Sequence, residues 1–126
     1  MNLDRVENFE LLYRVVRKSD PDGFIDNKPT AALFLDPVGT SVDRDGGRTE
    51  EQIIDTFKRR FNGKNRKDYK AAVKISAELC RKSGAEPIPN PGNNKYHALL
   101  QETDKIVALS LLTAMKIAKC CTVING

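Results

Sequence analysis

The chain has 126 residues, 40% of them hydrophobic and 30% charged. That fits one globular domain over 1–126, leaves no room for a second core, and excludes wholesale disorder. The net charge of +4 conceals an asymmetry, since residues 1–57 carry a net −5 and residues 58–126 a net +9; one face is then suited to a polyanionic partner, or the two halves attract each other on folding.

In chain order, Leu11–Arg17 is rich in apolar and β-forming residues and stops at Ser19-Asp20-Pro21-Asp22-Gly23, so a strand ending in a turn is expected. Thr30–Leu35 reads as a second strand and Thr40–Asp43 as a short third, with Pro37-Val38-Gly39 closing a hairpin between them. Thr49 and Gln52 have capping-box spacing, and Glu50 and Glu51 complement the helix dipole. Ile53, Ile54, Phe57 and Phe61 recur at helical spacing, and Asn62-Gly63 marks the stop. Tyr69–Ile75 reads as a strand, and Ser76 caps a short helix over Ala77–Lys82 that ends at Gly84; this order resembles half of a βαβ unit.

Pro87, Pro89, Pro91 and Gly92 predict an irregular loop, Tyr96–Leu100 a strand, and Cys121–Ile124 a last short strand. Thr103 is expected to cap a final helix from Asp104 to about Lys119, whose apolar residues nearly encircle it and imply central burial or a partner. The fold expected is α+β: a small mixed or mainly antiparallel sheet packed by two main helices and a short third.

The polar start Met1-Asn2-Leu3-Asp4-Arg5 lacks a signal-like apolar run, and Ile106–Ile117 is too short to span a bilayer. A cytoplasmic protein without a membrane partner is expected. Cys80, Cys120 and Cys121 make a poor disulfide framework and are expected as mostly buried, reduced thiols; no metal site and no cofactor follows from their spacing.

The strongest functional signal is the basic series Lys58, Arg59, Arg60, Lys64, Arg66, Lys67, Lys70 and Lys74. Clustered Lys and Arg attract phosphates by releasing counterions. The leading expectation is therefore a non-enzymatic binding or accessory module using this 58–74 surface on nucleic acid or an acidic protein. No aromatic array accompanies it, so base-specific single-strand recognition is not expected. Asp20–Gly23 and Asp43–Gly47 lack the Gly and Glu positions of an EF-hand and read as turns. Gly46-Gly47-Arg48 before the helix offers backbone N–H groups but lacks the P-loop Lys.

His97 is the only histidine, and a catalytic role would need a nucleophile and an orienting group brought to it by the fold. Arg14 inside an apolar strand either pairs across the sheet, faces solvent or holds an anion. There is no recognisable catalytic signature, which leaves enzyme activity open. Two alternatives stand beside the binding module: an enzyme or nucleotide-binding domain whose pocket is built from Arg14, Ser41, Asp43 and His97, and a structural subunit that oligomerises through the 104–119 helix.

The series Leu12-Tyr13-Arg14, Thr30-Ala31-Ala32-Leu33-Phe34, Thr40-Ser41-Val42-Asp43 and Asn90-Pro91 with Tyr96-His97-Ala98 resembles a family of small bacterial hypothetical proteins. Their motifs read roughly Leu-Tyr-Arg-Arg, Ser-Ser-Ala-Ala-Phe, Leu-Ser-Val-Asp and Asn-Pro-x-His-Ala. In this chain Thr30 replaces a Ser, Leu33 intrudes before Phe34, and Gly92 to Lys95 separate Pro91 from the Tyr-His pair. The resemblance implies no mechanism but groups Arg14, Ser41, Asp43 and His97 on a shared surface. The Leu-Tyr-Arg strand is also similar to one in ADP-ribosyl-transferring and NAD-cleaving domains, where the Arg contacts the dinucleotide; the Ser-Thr-Ser and paired-Glu elements of that pattern are not evident here.

Overall fold

A computed structural model describes residues 1–125. Six strands form one antiparallel sheet: β1 (Leu11–Arg17), β2 (Thr40–Arg44), β3 (Tyr69–Ser76), β4 (Glu86–Pro89), β5 (His97–Gln101) and β6 (Thr122–Asn125), in spatial order β6-β3-β1-β2-β5-β4. Three α-helices pack on it: α1 (Glu50–Phe61), α2 (Ala77–Ser83) and α3 (Leu111–Cys120). The expected α+β class is the one observed.

Strand alternation sorts side chains to two faces. One face presents Leu12, Val16, Val42, Val73, Ile75, Ala98 and Leu100 to α2, α3 and a 3-10 turn, making the larger core. The other presents Tyr13, Val15, Ala72 and Ile124 to Ile53, Ile54 and Phe57 of α1. Because the sheet is antiparallel, β2 and β3 run in the same direction, as do β3 and β4. Each pair is joined through a helix, α1 or α2, that passes over the intervening strands. The βαβ resemblance after Tyr69 is thus realised as a crossover that skips three strands.

Local signals set the start of α1 and both ends of α2 as expected. The Thr49 hydroxyl accepts from the Gln52 N–H and the Gln52 side chain accepts from the Thr49 N–H, completing the capping box. The Ser76 hydroxyl caps α2, and Gly84 ends it at φ 107, a left-handed conformation that favours glycine.

Four expectations are corrected. Thr30–Leu35 is not a strand: Ala31–Phe34 form a 3-10 helix, so Pro37-Val38-Gly39 closes no hairpin with Thr40. Leu33 and Phe34, adjacent in sequence, are both buried, which a strand with one covered face does not allow. The nearby hairpin instead joins Phe24–Ile25 to Lys28–Pro29 through Asp26 (φ 53) and Asn27 (φ 60). Two positive φ values make a two-residue primed turn, which Asp and Asn tolerate.

The Pro-rich stretch begins as strand β4, not loop; at the sheet's edge only one side of the ladder needs donors, so proline is tolerated. The last helix begins at Leu111, not Asp104. The Thr103 hydroxyl accepts from the N–H groups of Lys105 and Ile106, spending its capping capacity on a local turn. The Glu102 carboxylate then accepts from the N–H and hydroxyl of Ser110 and the hydroxyl of Thr113, seating Ser110 as the cap. Finally, α3 is not centrally buried: Leu111, Leu112 and Met115 are 59%, 61% and 43% exposed.

Among the thiols, Cys80 is buried and Cys121 half-buried, while Cys120 is exposed. Burial pushes the Cys80 thiol up to about 12, which leaves it protonated and inert. No helix is long and apolar enough to cross a membrane.

Candidate functional site

The β1–β2 ladder is short. Leu12 pairs with Arg44 and Tyr13 with Asp43, and there the pairing ends although both strands continue. Arg14 occupies the opening. Its Nε donates to the Leu33 carbonyl at 2.7 Å and its Nη1 to the Ser41 carbonyl at 2.7 Å. The guanidinium thus replaces ladder bonds that the diverging strands cannot make. Of the settings expected for Arg14, pairing across the sheet is the one observed, made to the main-chain carbonyl of Ser41 and not to a carboxylate.

Above this opening, beneath the C-terminal turn of α1, lies a cleft of about 230 Å3. Its lining includes Arg14, Asp36, Ser41, Asp43, Arg60 and His97. The four residues singled out as a candidate pocket are therefore gathered in one cavity. Its volume is below the ~300–1000 Å3 of sites that enclose drug-sized molecules, so what it encloses is small and a whole dinucleotide does not fit inside.

Each lining group has a definite setting. Asp43 is buried and serves as a hub: Arg48 Nη2 lies 3.2 Å and Arg60 Nη1 3.5 Å from its carboxylate, and Asn94 Nδ2 donates to it at 3.0 Å. Arg48 also stacks on Tyr96, 3.6 Å from the ring centroid. These contacts fasten the 90–96 loop to the start of α1 and occupy Asp43 structurally. Arg14 has no carboxylate within 4.0 Å among the described residues. Its burial lowers its pKa, opposed by the more distant charges of Asp36 and Asp20.

His97 stands across the ladder from Asp43 and diagonally from Ser41. Its Nε2 is 3.0 Å from Ser41 Oγ, and its Nδ1 is 2.8 Å from the Asn90 carbonyl and 3.2 Å from Asn90 Oδ1. Ser41 is exposed and His97 half-buried, so the pair is open to solvent. Asn90 is the residue that sequence reasoning missed. Only the Asn90-Pro91 motif of the family resemblance marked it, and its partnership with His97 depends on β4 lying beside β5.

The basic series is divided. Lys70 packs on Phe24, which belongs to the core beneath α2 and α3, whereas Lys58 packs on Tyr69 of the α1-side core. Arg60 pairs with Asp43, Lys74 with Glu50 at 2.8 Å, and Arg66 with Asp68 at 3.3 Å. Arg59 donates to the Thr56 hydroxyl. Lys64 and Lys67 are exposed in or beside the short hairpin of Asn62–Gly63 with Arg66–Lys67. Lys58 and Lys70 therefore lie over different cores, and three of the eight side chains are engaged by acidic groups. No group of three or more His, Cys, Asp or Glu suited to a metal occurs among the described residues.

The chain matches no protein-family model, no curated protein and no solved structure.

Proposed function

We propose that the cleft over the β1–β2 opening binds a small molecule bearing a carboxylate or phosphate, with Arg14 as the anchor. One observation carries this reading: a half-buried cation lines the cavity and, among the described residues, has main-chain carbonyl partners and no ion-paired carboxylate. Carbonyl dipoles compensate part of the desolvation of a guanidinium, and an arriving anion compensates more. Two of its five N–H groups are spoken for, so donors remain for a forked contact. Ser41 and His97 supply further polar contacts at the same mouth, and Asp36 on the lining disfavours ligands of high negative charge.

The test is a titration of the full chain with inorganic phosphate and with succinate at low ionic strength, followed by amide NMR shifts. Saturating shifts at Arg14, Ser41 and His97 are expected, weakening as salt rises. Arg14→Lys, which keeps the charge but loses the fork, is expected to weaken the binding at least several-fold. Shifts confined to the 62–67 hairpin, or none at millimolar ligand, would overturn the proposal.

A second reading has its own observation. The exposed Leu111, Leu112 and Met115 form an uncovered apolar stripe on α3, and such stripes mark contact surfaces. Light scattering across a concentration series decides it: self-association that Leu112→Glu abolishes supports the structural-subunit role, and a monomer at all concentrations removes it.

A further inference from the structure

The pair at the mouth of the cleft has a chemistry that ligand binding alone does not use. A carbonyl oxygen only accepts hydrogen bonds, so the 2.8 Å contact of His97 Nδ1 with the Asn90 carbonyl places the proton of the neutral ring on Nδ1. Nε2 is then the lone-pair nitrogen, and it faces the Ser41 hydroxyl at 3.0 Å. Hydroxyl, imidazole and orienting acceptor stand in series, the arrangement that activates a serine. Here the orienting group is a main-chain carbonyl, held because the Asn90 N–H in turn donates to the His97 carbonyl at 3.0 Å.

We propose that Ser41 and His97 are a nucleophile and general base for acyl transfer, acting on small esters. The Ser41 oxygen attacks the acyl carbon while its proton passes to His97 Nε2. The acyl–oxygen bond to the leaving alcohol breaks, and the alkoxide takes the proton back from Nε2. Water then attacks the acyl-serine, giving its proton through the same nitrogen, and releases the acid. The net reaction is ester plus water to acid plus alcohol, with no oxidant or reductant.

A carbonyl cannot neutralise the imidazolium as a carboxylate does, and the nearby Asp43 is committed to Arg48, Arg60 and Asn94. Turnover is therefore expected to be slow, while covalent capture at Ser41 is not limited by the second half-reaction. That the ester carries an anionic group held by Arg14 rests on the binding site proposed above; the nucleophile itself does not.

The experiment treats the full chain with diisopropyl fluorophosphate, followed by peptide mass mapping, with and without inorganic phosphate. Modification at Ser41 is expected, absent in Ser41→Ala and slowed about 10²–10⁴-fold in His97→Gln, the range for losing a general base. Unmodified Ser41 under excess reagent, or labelling equally fast in His97→Gln, would overturn the proposal. The two readings fail separately. Labelling of Ser41 with no amide shifts from phosphate keeps the nucleophile and removes the anion site; phosphate shifts with an inert Ser41 do the reverse.

Discussion

The two faces of the sheet are covered to different extents. Beneath α2, α3 and the 3-10 turn, the core runs from Ile75 on β3 to Leu100 on β5. Even its charged members are closed off: Arg44, 1% exposed, grips Glu10 with two bonds of 2.7 and 2.8 Å and also donates to the Arg5 carbonyl. On the opposite face a single helix of 12 residues, α1, covers β6, β3 and β1. Its apolar stripe is used up on Tyr13, Tyr69 and Ala72, so Ser41 and His97 on β2 and β5 stay open. A six-stranded sheet with one helix on a face has surplus surface, and here the surplus coincides with the break in the β1–β2 ladder. The site is a consequence of incomplete coverage.

That contrast is best broken at its most enclosed point. Glu10→Ala strands a buried guanidinium and is expected to cost about 3–5 kcal/mol in denaturant unfolding, whereas the paired Glu10→Leu with Arg44→Met is expected to recover most of it. A double variant as unstable as the single one would show that shape, not charge, holds this corner.

The same pair sets a pH response. Burial by itself raises the Glu10 pKa, but the hydrogen bonds and charge of Arg44 outweigh it and leave the carboxyl below its ordinary value. Asp68 likewise resists burial through bonds from Arg17, Ser19 and Arg66 and lies well below the usual carboxylate range. Groups lowered in the folded state stabilise it above their unfolded pKa of about 4 and lose that contribution as pH falls through the folded value. Stability is therefore expected to hold from neutrality down to about pH 4 and to fall below it, as read by thermal unfolding across a pH series.

A somewhat smaller loss is expected on the other face. Ile53→Ala removes a fully buried side chain beneath α1, with an expected cost of about 2–5 kcal/mol by denaturant unfolding. If α1 alone closes the cleft, the variant is also expected to weaken the phosphate-induced shifts. The smallest effect belongs to Ser41→Ala. An exposed hydroxyl bonded to a solvent-open ring is expected to change stability by less than about 0.5 kcal/mol in the same measurement. A large loss there would mark Ser41 as a structural tie and not a reactive group.

Much of the local structure was legible in residue order. The Thr49–Gln52 capping box, the Ser76 cap and the Gly84 stop rest on contacts within a few residues, which order alone specifies, and the strands expected at 11–17 and 69–75 were marked by their residue types although their pairing spans some sixty positions. Arg14 and His97 stood out in residue order, as an arginine in an apolar strand and a lone histidine, while Ser41 and Asp43 were grouped with them only by the family resemblance. The geometry of the candidate pocket was not legible. The Thr30–Leu35 run and the Thr103 cap misled because competing side-chain bonds, from the Thr40 hydroxyl to the Phe34 carbonyl and from the Ser110 N–H to the Glu102 carboxylate, join residues six or more positions apart.

What the order of residues determined by itself was the Thr49 and Ser76 caps, the Gly84 stop and the apolar alternation of β1 and β3, since those choices are settled by neighbours along the chain. What only the tertiary structure decided was coverage and convergence. Which face α1 would leave open, which lysines would meet carboxylates, and that Arg14, Ser41 and His97 of three strands would meet Asn90 at the end of β4 depend on strand order β6-β3-β1-β2-β5-β4. Strand order is set by packing the whole apolar surface at once, and no segment of the chain carries that information alone.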